Sequence, residues 1–117
     1  MTDERRLGRT EVSPMAVAGL AAAAVLECYG VVGMAHRSNV SGLDGLLKRE
    51  HYRRGVQVTV ADQEIIIDLY VVLEYGVRIS EVAHNIMENV KFRVEKALGL
   101  PIEEINVHVR GLRLSSR

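Results

Sequence analysis

No tryptophan and only one phenylalanine occur in this chain, and aromatic residues together make up 4% of it. A core without large rings must be built from Val, Ile, Leu and Ala, which pack by shape and bring no polar tip. There is a single cysteine, Cys28. It has no partner for an intramolecular disulfide and no second thiol for a metal site, which fits a reducing, cytoplasmic setting. Neither sign of charge is in excess: Lys plus Arg number 15, and so do Asp plus Glu. A neutral chain argues against a dedicated nucleic-acid binder, and it lacks the self-repulsion that opposes association. Long apolar runs are missing as well. The longest, Met15 to Leu26, is about half of what a membrane-spanning helix requires, so no direct span is expected. Met1 to Glu11 is charged and has no apolar segment of the kind a secretory leader carries, so none is expected. What is present is a globular composition, 48% hydrophobic and 26% charged over 117 residues, enough for one domain with its own core.

The hydrophobic pattern divides the chain into elements. Residues 1–12 read as a tail, with room for a short strand at Arg9 to Val12. Ser13-Pro14 is a helix start, since serine caps and proline suits the first helical position. The helix is expected to reach about Glu27 and stop near Gly30, with Val17, Leu20, Ala21, Ala24 and Cys28 facing the core. Its other side, Ala18, Gly19, Ala22, Ala23 and Leu26, carries no charge. Either alanine there is merely a good helix former, or that face meets another chain. Val31 to Ala35 reads as a short strand. Arg37 to Arg54 is polar and irregular, with room for a short helix at Leu43 to Lys48.

The second half is more regular. Val56 to Val60, a turn at Ala61-Asp62-Gln63, and a long strand from Glu64 to Tyr75 form a hairpin. Ile65, Ile67, Leu69, Val71, Leu73 and Tyr75 share one face, which is a full core face. Glu64, Ile66, Asp68, Tyr70, Val72 and Glu74 share the other. Ile66, Tyr70 and Val72 are more apolar than a solvated face requires, so they join the first-helix residues as candidate interface positions. Gly76 ends the strand and Ser80 is expected to cap a helix to Leu98. Its stripe is Ile79, Val82, Ala83, Ile86, Val90, Val94 and Ala97, with Glu81, Asn85, Glu88, Asn89, Lys91, Arg93 and Lys96 mostly on the wet side. Gly99 and Pro101 end it. Ile105, Val107 and Val109 alternate in a last strand, with a phase shift near Gly111 that predicts a bulge. The order α-β-β-β-α-β, with one apolar sheet face and two apolar helix stripes, predicts an α+β two-layer sandwich. Its sheet is mainly antiparallel, with both helices packed on one face.

Chemistry is harder to find. No histidine stands one turn from another histidine or from the cysteine. His84 and Glu88 are four apart, which makes two candidate ligands where a metal needs three or four. No nucleophile elbow, phosphate loop or dinucleotide fingerprint occurs. Cys28 lies on the core stripe with no base beside it, which predicts an unreactive structural thiol. No catalytic residue, cofactor or metal site is therefore expected. Lys48, Arg49, Arg53 and Arg54 form a basic cluster interrupted by Glu50. It is either a solvated loop or a polyanion contact.

Several stretches resemble one family. Val17 to Met34, with its Leu20-Ala21, Ala24 and Cys28-Tyr29-Gly30-Val31-Val32-Gly33-Met34, is similar to the first helix and following strand of the alkaline shock protein family. These are envelope stress response proteins, mainly of Gram-positive bacteria. Gly55-Val56-Gln57-Val58, Ile65-Ile66-Ile67-Asp68-Leu69, Glu74-Tyr75-Gly76, the helix Val82 to Leu98 and Ile105-Asn106-Val107-His108-Val109 extend the likeness from about Leu7 to Leu114. The resemblance implies a single α+β domain over residues 13–114, followed by a tail at 115–117. It further implies a cytoplasmic, non-enzymatic protein that supports the cell envelope. Some members self-assemble and gather at the membrane through a membrane-anchored partner, so a homo-oligomer and such a partner are expected. The acidic, low-complexity extensions that some members carry do not occur in this sequence, so a minimal version of the family is expected. The alternative function is a small nucleic-acid or polyanion-binding module using residues 48–54.

Overall fold

The structure, a computed structural model, describes residues 12–37, 47, 49–62 and 64–114, with the side chains of Arg49 and Glu50 left undescribed. The expected strand at Arg9 to Val12, the expected helix at Leu43 to Lys48 and the two tails thus lie wholly or largely outside the described residues. The first helix, α1, spans Pro14–Leu26. Ser13 is its N-cap, with Oγ accepting the Ala16 N–H at 3.4 Å, and Pro14 fills the first position, where a missing N–H costs nothing. Among the described residues four strands form one sheet: β1 (Val31–Met34), β2 (Val56–Ala61), β3 (Glu64–Glu74) and β4 (Glu104–Arg113). The second helix, α2, spans Ile79–Leu98 and lies between β3 and β4 in the chain.

The order and class agree with the sequence expectation, and the topology adds what the sequence left implicit. β1 and β2 both pair antiparallel with β3, while β4 pairs parallel with it. A parallel neighbour is what a strand–helix–strand crossover demands. β4 runs along β3 from Ile66 to Glu74. It occupies one whole edge, so β1 and β2 share the other edge end to end. Val56 pairs with Leu69, and the Ala35 N–H bonds the next carbonyl, that of Tyr70, at 2.8 Å. The chain therefore leaves the sheet after β1, makes an excursion, and re-enters it where it left. That excursion returns through a short 3-10 segment, Arg49–Gly55.

Both helices cover one face. α1 lies over the β1–β2 edge and α2 reaches β4, with the two helices also in contact. Between them and the sheet sit Ile65, Ile67, Leu69, Val71 and Leu73 of β3 together with Val82, Ile86, Val90 and Val94 of α2. Tyr75, expected on the core face, is 65% exposed because β3 has ended by then. The expected bulge is present: Val71 pairs with Val109 but Val72 with Gly111, so Arg110 is the extra residue.

α2 is capped two residues earlier than expected. Its N-cap is Arg78, whose side chain makes no capping bond, and Ser80 lies inside the helix rather than at its cap. Glu81 in the first turn and Lys96 in the last complement the helix dipole. Gly99 ends it in a left-handed conformation, φ 71°, which a residue with a side chain adopts reluctantly. Asn89, expected on the wet side, instead turns toward α1. Its Nδ2 donates to the Ala24 carbonyl at 2.8 Å, in the last turn of α1, where that oxygen also receives the Glu27 N–H at 3.3 Å. Asn89→Ala is expected to cost about 1–2 kcal/mol, read as a lower melting temperature in circular dichroism. A melting curve that superimposes on the parent would show that water replaces the amide at no cost.

α1 is rotated from the expected orientation. Val17, Ala18, Ala21, Ala22, Ala24 and Val25 are buried, whereas Leu20 is 37% exposed and Cys28 only half-buried. Ala18 and Ala22, expected on an interface side, are thus core residues. Small side chains on the inner face let the helix axis approach the sheet and α2 closely, which a row of leucines would prevent.

Candidate functional site

The face of the sheet opposite the helices carries the best-organised polar cluster. β3 contributes Ile66, Asp68 and Tyr70 to it, all half-buried, and β4 contributes Asn106, His108 and Arg110. Parallel register sets Asp68 beside Asn106 and Tyr70 beside His108. One carboxylate oxygen, Oδ1 of Asp68, accepts from Asn106 Nδ2 at 3.1 Å and faces His108 Nε2 at 3.0 Å. The Tyr70 and His108 rings stack, with centroids 4.5 Å apart and planes 11° from parallel. The Arg110 guanidinium lies 5.0 Å from the Tyr70 ring centre and donates to the Arg37 carbonyl at 3.2 Å. Tyr70 is thereby held by a ring and a cation, with His108 in turn tethered to Asp68.

An Asp–His pair invites comparison with a catalytic dyad. Catalysis of that kind needs a nucleophile within hydrogen-bond reach of the remaining imidazole nitrogen. Tyr70 presents its ring face to the imidazole, not its hydroxyl. The arrangement is a rigid, half-exposed platform. It suits contact with another surface better than proton transfer. His84 and Glu88 do pair, 3.1 Å apart, but both are mostly exposed on α2, and among the described residues no three His, Cys, Asp or Glu side chains gather for a metal.

The remaining sequence candidates are placed as follows. Val72 is 1% exposed, because the end of β3 from Val71 to Leu73 is buried on both faces; it is no surface residue, whereas Ile66 and Tyr70 keep their outward position. On α1, Ala23 and Leu26 are exposed and Gly19 half-buried, and they lie alongside the exposed Leu20. Cys28 Sγ donates to the Ala24 carbonyl at 3.5 Å, and Asn89 Nδ2 lies 3.8 Å from the sulfur. Burial pushes its thiol up; the Asn89 amide pulls it back, and the charge of Glu27 adds to the rise. That is the opposite of a reactive thiolate. Glu27 also pairs with Arg93, pinning the ends of the two helices together. Among the basic residues, Lys48 lies outside the described residues and Arg49 is described by its backbone alone, while Arg53 and Arg54 are exposed at the end of the 3-10 segment.

Asp68, Asn106, His108 and Arg110 were not singled out by sequence reasoning. The helix between β3 and β4 held the missing signal. It requires the two strands to run parallel, and a parallel neighbour places the outward residues of β4 against those of β3.

Comparison with known proteins follows the same outline as the fold. A family model described as the alkaline shock protein 23 family, cell envelope-related function, matches residues 2–114. YloU of Bacillus subtilis (strain 168) is 38% identical over 112 residues, spanning 95% of this chain and 93% of that protein. Spy1614 of Streptococcus pyogenes is 41% identical over 108 residues, spanning 92% of this chain and 89% of that protein. Among solved structures, a variant of the MamM CTD in a zinc form aligns with 86% of this chain and 85% of its own, at 19% identity and a TM-score of 0.49.

Proposed function

This chain belongs to the alkaline shock protein 23 family, whose function relates to the cell envelope, and from that premise we propose that it is a non-catalytic scaffold that self-associates and docks a protein partner through the open face of its sheet. The observation that carries this reading is Tyr70, half-buried on that face and fixed between His108 and Arg110. A rigid aromatic flanked by an arginine loses little entropy on contact, and such residues are the usual anchors of interfaces. Ile66 adds apolar area beside it. The outer edge of β4 is unpaired among the described residues, and a free edge is a further place for a second chain to add. Ala23, Leu20 and Leu26 give α1 a smaller exposed apolar strip that would serve the same end.

Action in the cytoplasm, with the envelope reached through a membrane-anchored partner, accords with a described chain in which no helix is long and apolar enough to cross a membrane. Tyr70→Glu sets a second carboxylate beside Asp68 and removes the ring. It is expected to weaken self-association about tenfold or more while leaving the melting curve nearly unchanged, since Tyr70 lies outside the helix-covered core. Sedimentation velocity over a concentration series reads the first effect. Association as strong as in the parent would remove Tyr70 from the interface.

A further inference from the structure

A groove of about 460 Å³ opens at the start of α1, away from the platform around Tyr70. Its walls carry Arg37, His51, Arg53 and Arg54, and its floor is Ala18 with Val56 and Val58. The sequence scatters these cations over 18 positions. The fold gathers them because β1 and β2 meet on one edge of β3, bringing the residue that leaves β1 next to the segment that enters β2. Tyr52 packs inward against the core, which leaves Arg53 and Arg54 facing out beside it. The stem of Arg53 rests on α1: a Cβ at Gly19 would stand 3.5 Å from its Cδ. The backbone of Arg37 is held by Arg110 through the carbonyl bond already described.

Among the described residues the charges in this groove are not balanced. Among the described residues that line it there is no carboxylate, and none of the three guanidiniums has an ion-pair partner. In a chain with equal numbers of acids and bases, three uncompensated arginines around one concavity repel one another unless an anion joins them. Guanidinium forks match the oxygens of phosphate, several at once, and His51 adds a donor. The start of α1 contributes its positive end in the same direction. The apolar floor, with Met15 at the rim, has no use for a bare ion but suits the organic part of an ester. The volume falls within the range of small-molecule sites, roughly 300–1,000 Å³, which matches a small group rather than a long strand of nucleic acid.

We propose that this groove is a binding site for a phosphate ester, with Arg37, Arg53 and Arg54 as its ligating residues. The ester is either a free phosphorylated small molecule or the headgroup of an anionic lipid, and the two share this chemistry. The site stands apart from the open sheet face, so loss of one does not entail loss of the other.

Two arms test it on the full chain at low salt. Calorimetric titration with phenyl phosphate, a soluble ester, probes the free form. Flotation with vesicles of phosphatidylglycerol, against vesicles of phosphatidylcholine, probes the headgroup. Binding is expected in at least one arm, falling as salt rises, and weakened at least tenfold by Arg53→Gln with Arg54→Gln and by Arg37→Gln alone. These side chains are exposed, and unchanged melting curves confirm that the variants fold. Lys91→Gln with Lys96→Gln on α2 removes charge elsewhere and is expected to leave binding intact. Phenyl phosphate binding alone assigns the site to a soluble ester, and phosphatidylglycerol binding alone assigns it to a lipid surface. The proposal is overturned if neither probe binds, if the arginine variants bind as the parent does, if the lysine variant loses as much, or if single-stranded RNA binds where both probes fail.

Discussion

Leu69→Ala is expected to destabilise the protein by about 2–5 kcal/mol, a large part of the roughly 5–15 kcal/mol that holds an ordinary domain together. Leu69 is fully buried at the middle of β3, which among the described residues pairs with each of the other three strands. It pairs with Val56 on one side and Val107 on the other. Truncating it removes contacts to both edges of the sheet and to the helices above at once. The neighbours are β-branched, with few rotamers through which to collapse into the space. The cost therefore belongs at the upper part of that range. In urea, the unfolding midpoint is expected to drop by roughly 1–3 M. A shift of a few tenths would mean that the core relaxes around the gap, and that the helices sit less tightly on the sheet than their burial indicates.

Gly55→Ala carries the second large effect, for a reason that only the fold reveals. A Cβ at position 55 would stand 2.7 Å from the Ala35 carbonyl oxygen and 2.9 Å from the Met34 Cβ. Both obstacles lie at the end of β1, Met34 its last residue and Ala35 the next, where β1 and β2 meet, and neither is the free end of a flexible side chain. One strand must move. The expected cost is about 1–3 kcal/mol or somewhat more, though the change adds only a methyl group and alanine is ordinarily harmless. The shift also displaces Arg53 and Arg54 just upstream, so phosphate-ester binding should fall in the same variant. Chemical denaturation of the parent and the variant measures the first effect. Equal stability would show that the junction between β1 and β2 is looser than the contacts describe.

Gly55 also marks how much of this protein is written along its chain and how much is not. The hairpin and α2 are legible because their apolar residues recur at sharply different periods, two and about 3.6, against charged neighbours. Ile65, Ile67 and Leu69 could hardly face anything but the core, and Val82, Ile86, Val90 and Val94 follow one ridge of a helix. α1 is different. From Pro14 to Leu26 it has no charged residue, so there is no polar side to give its rotation. Choosing the larger residues as the buried ones placed Leu20 inside and Ala18 and Ala22 outside. Packing does the reverse, because close approach to the sheet rewards small side chains.

Two further features depend on neighbours in space. Val72 alternates outward like Tyr70, yet it is buried because the far end of β3 is covered on both faces. Arg37 is 16 positions from Arg53 in the sequence, and nothing local says that they line one groove. Asp68 and His108 lie between these cases: the crossover helix already requires a parallel pair, and only the register, which sets Asp68 opposite Asn106 and Tyr70 opposite His108, remained for the structure to supply.

The central claim is that the organised surface of this protein serves association. Sedimentation equilibrium of the unmodified chain across a wide concentration range tests that most directly. A weight-average mass that climbs with concentration toward a multiple of the 13.0 kDa chain is the predicted result. A mass that stays at one chain throughout, at physiological salt, would contradict it.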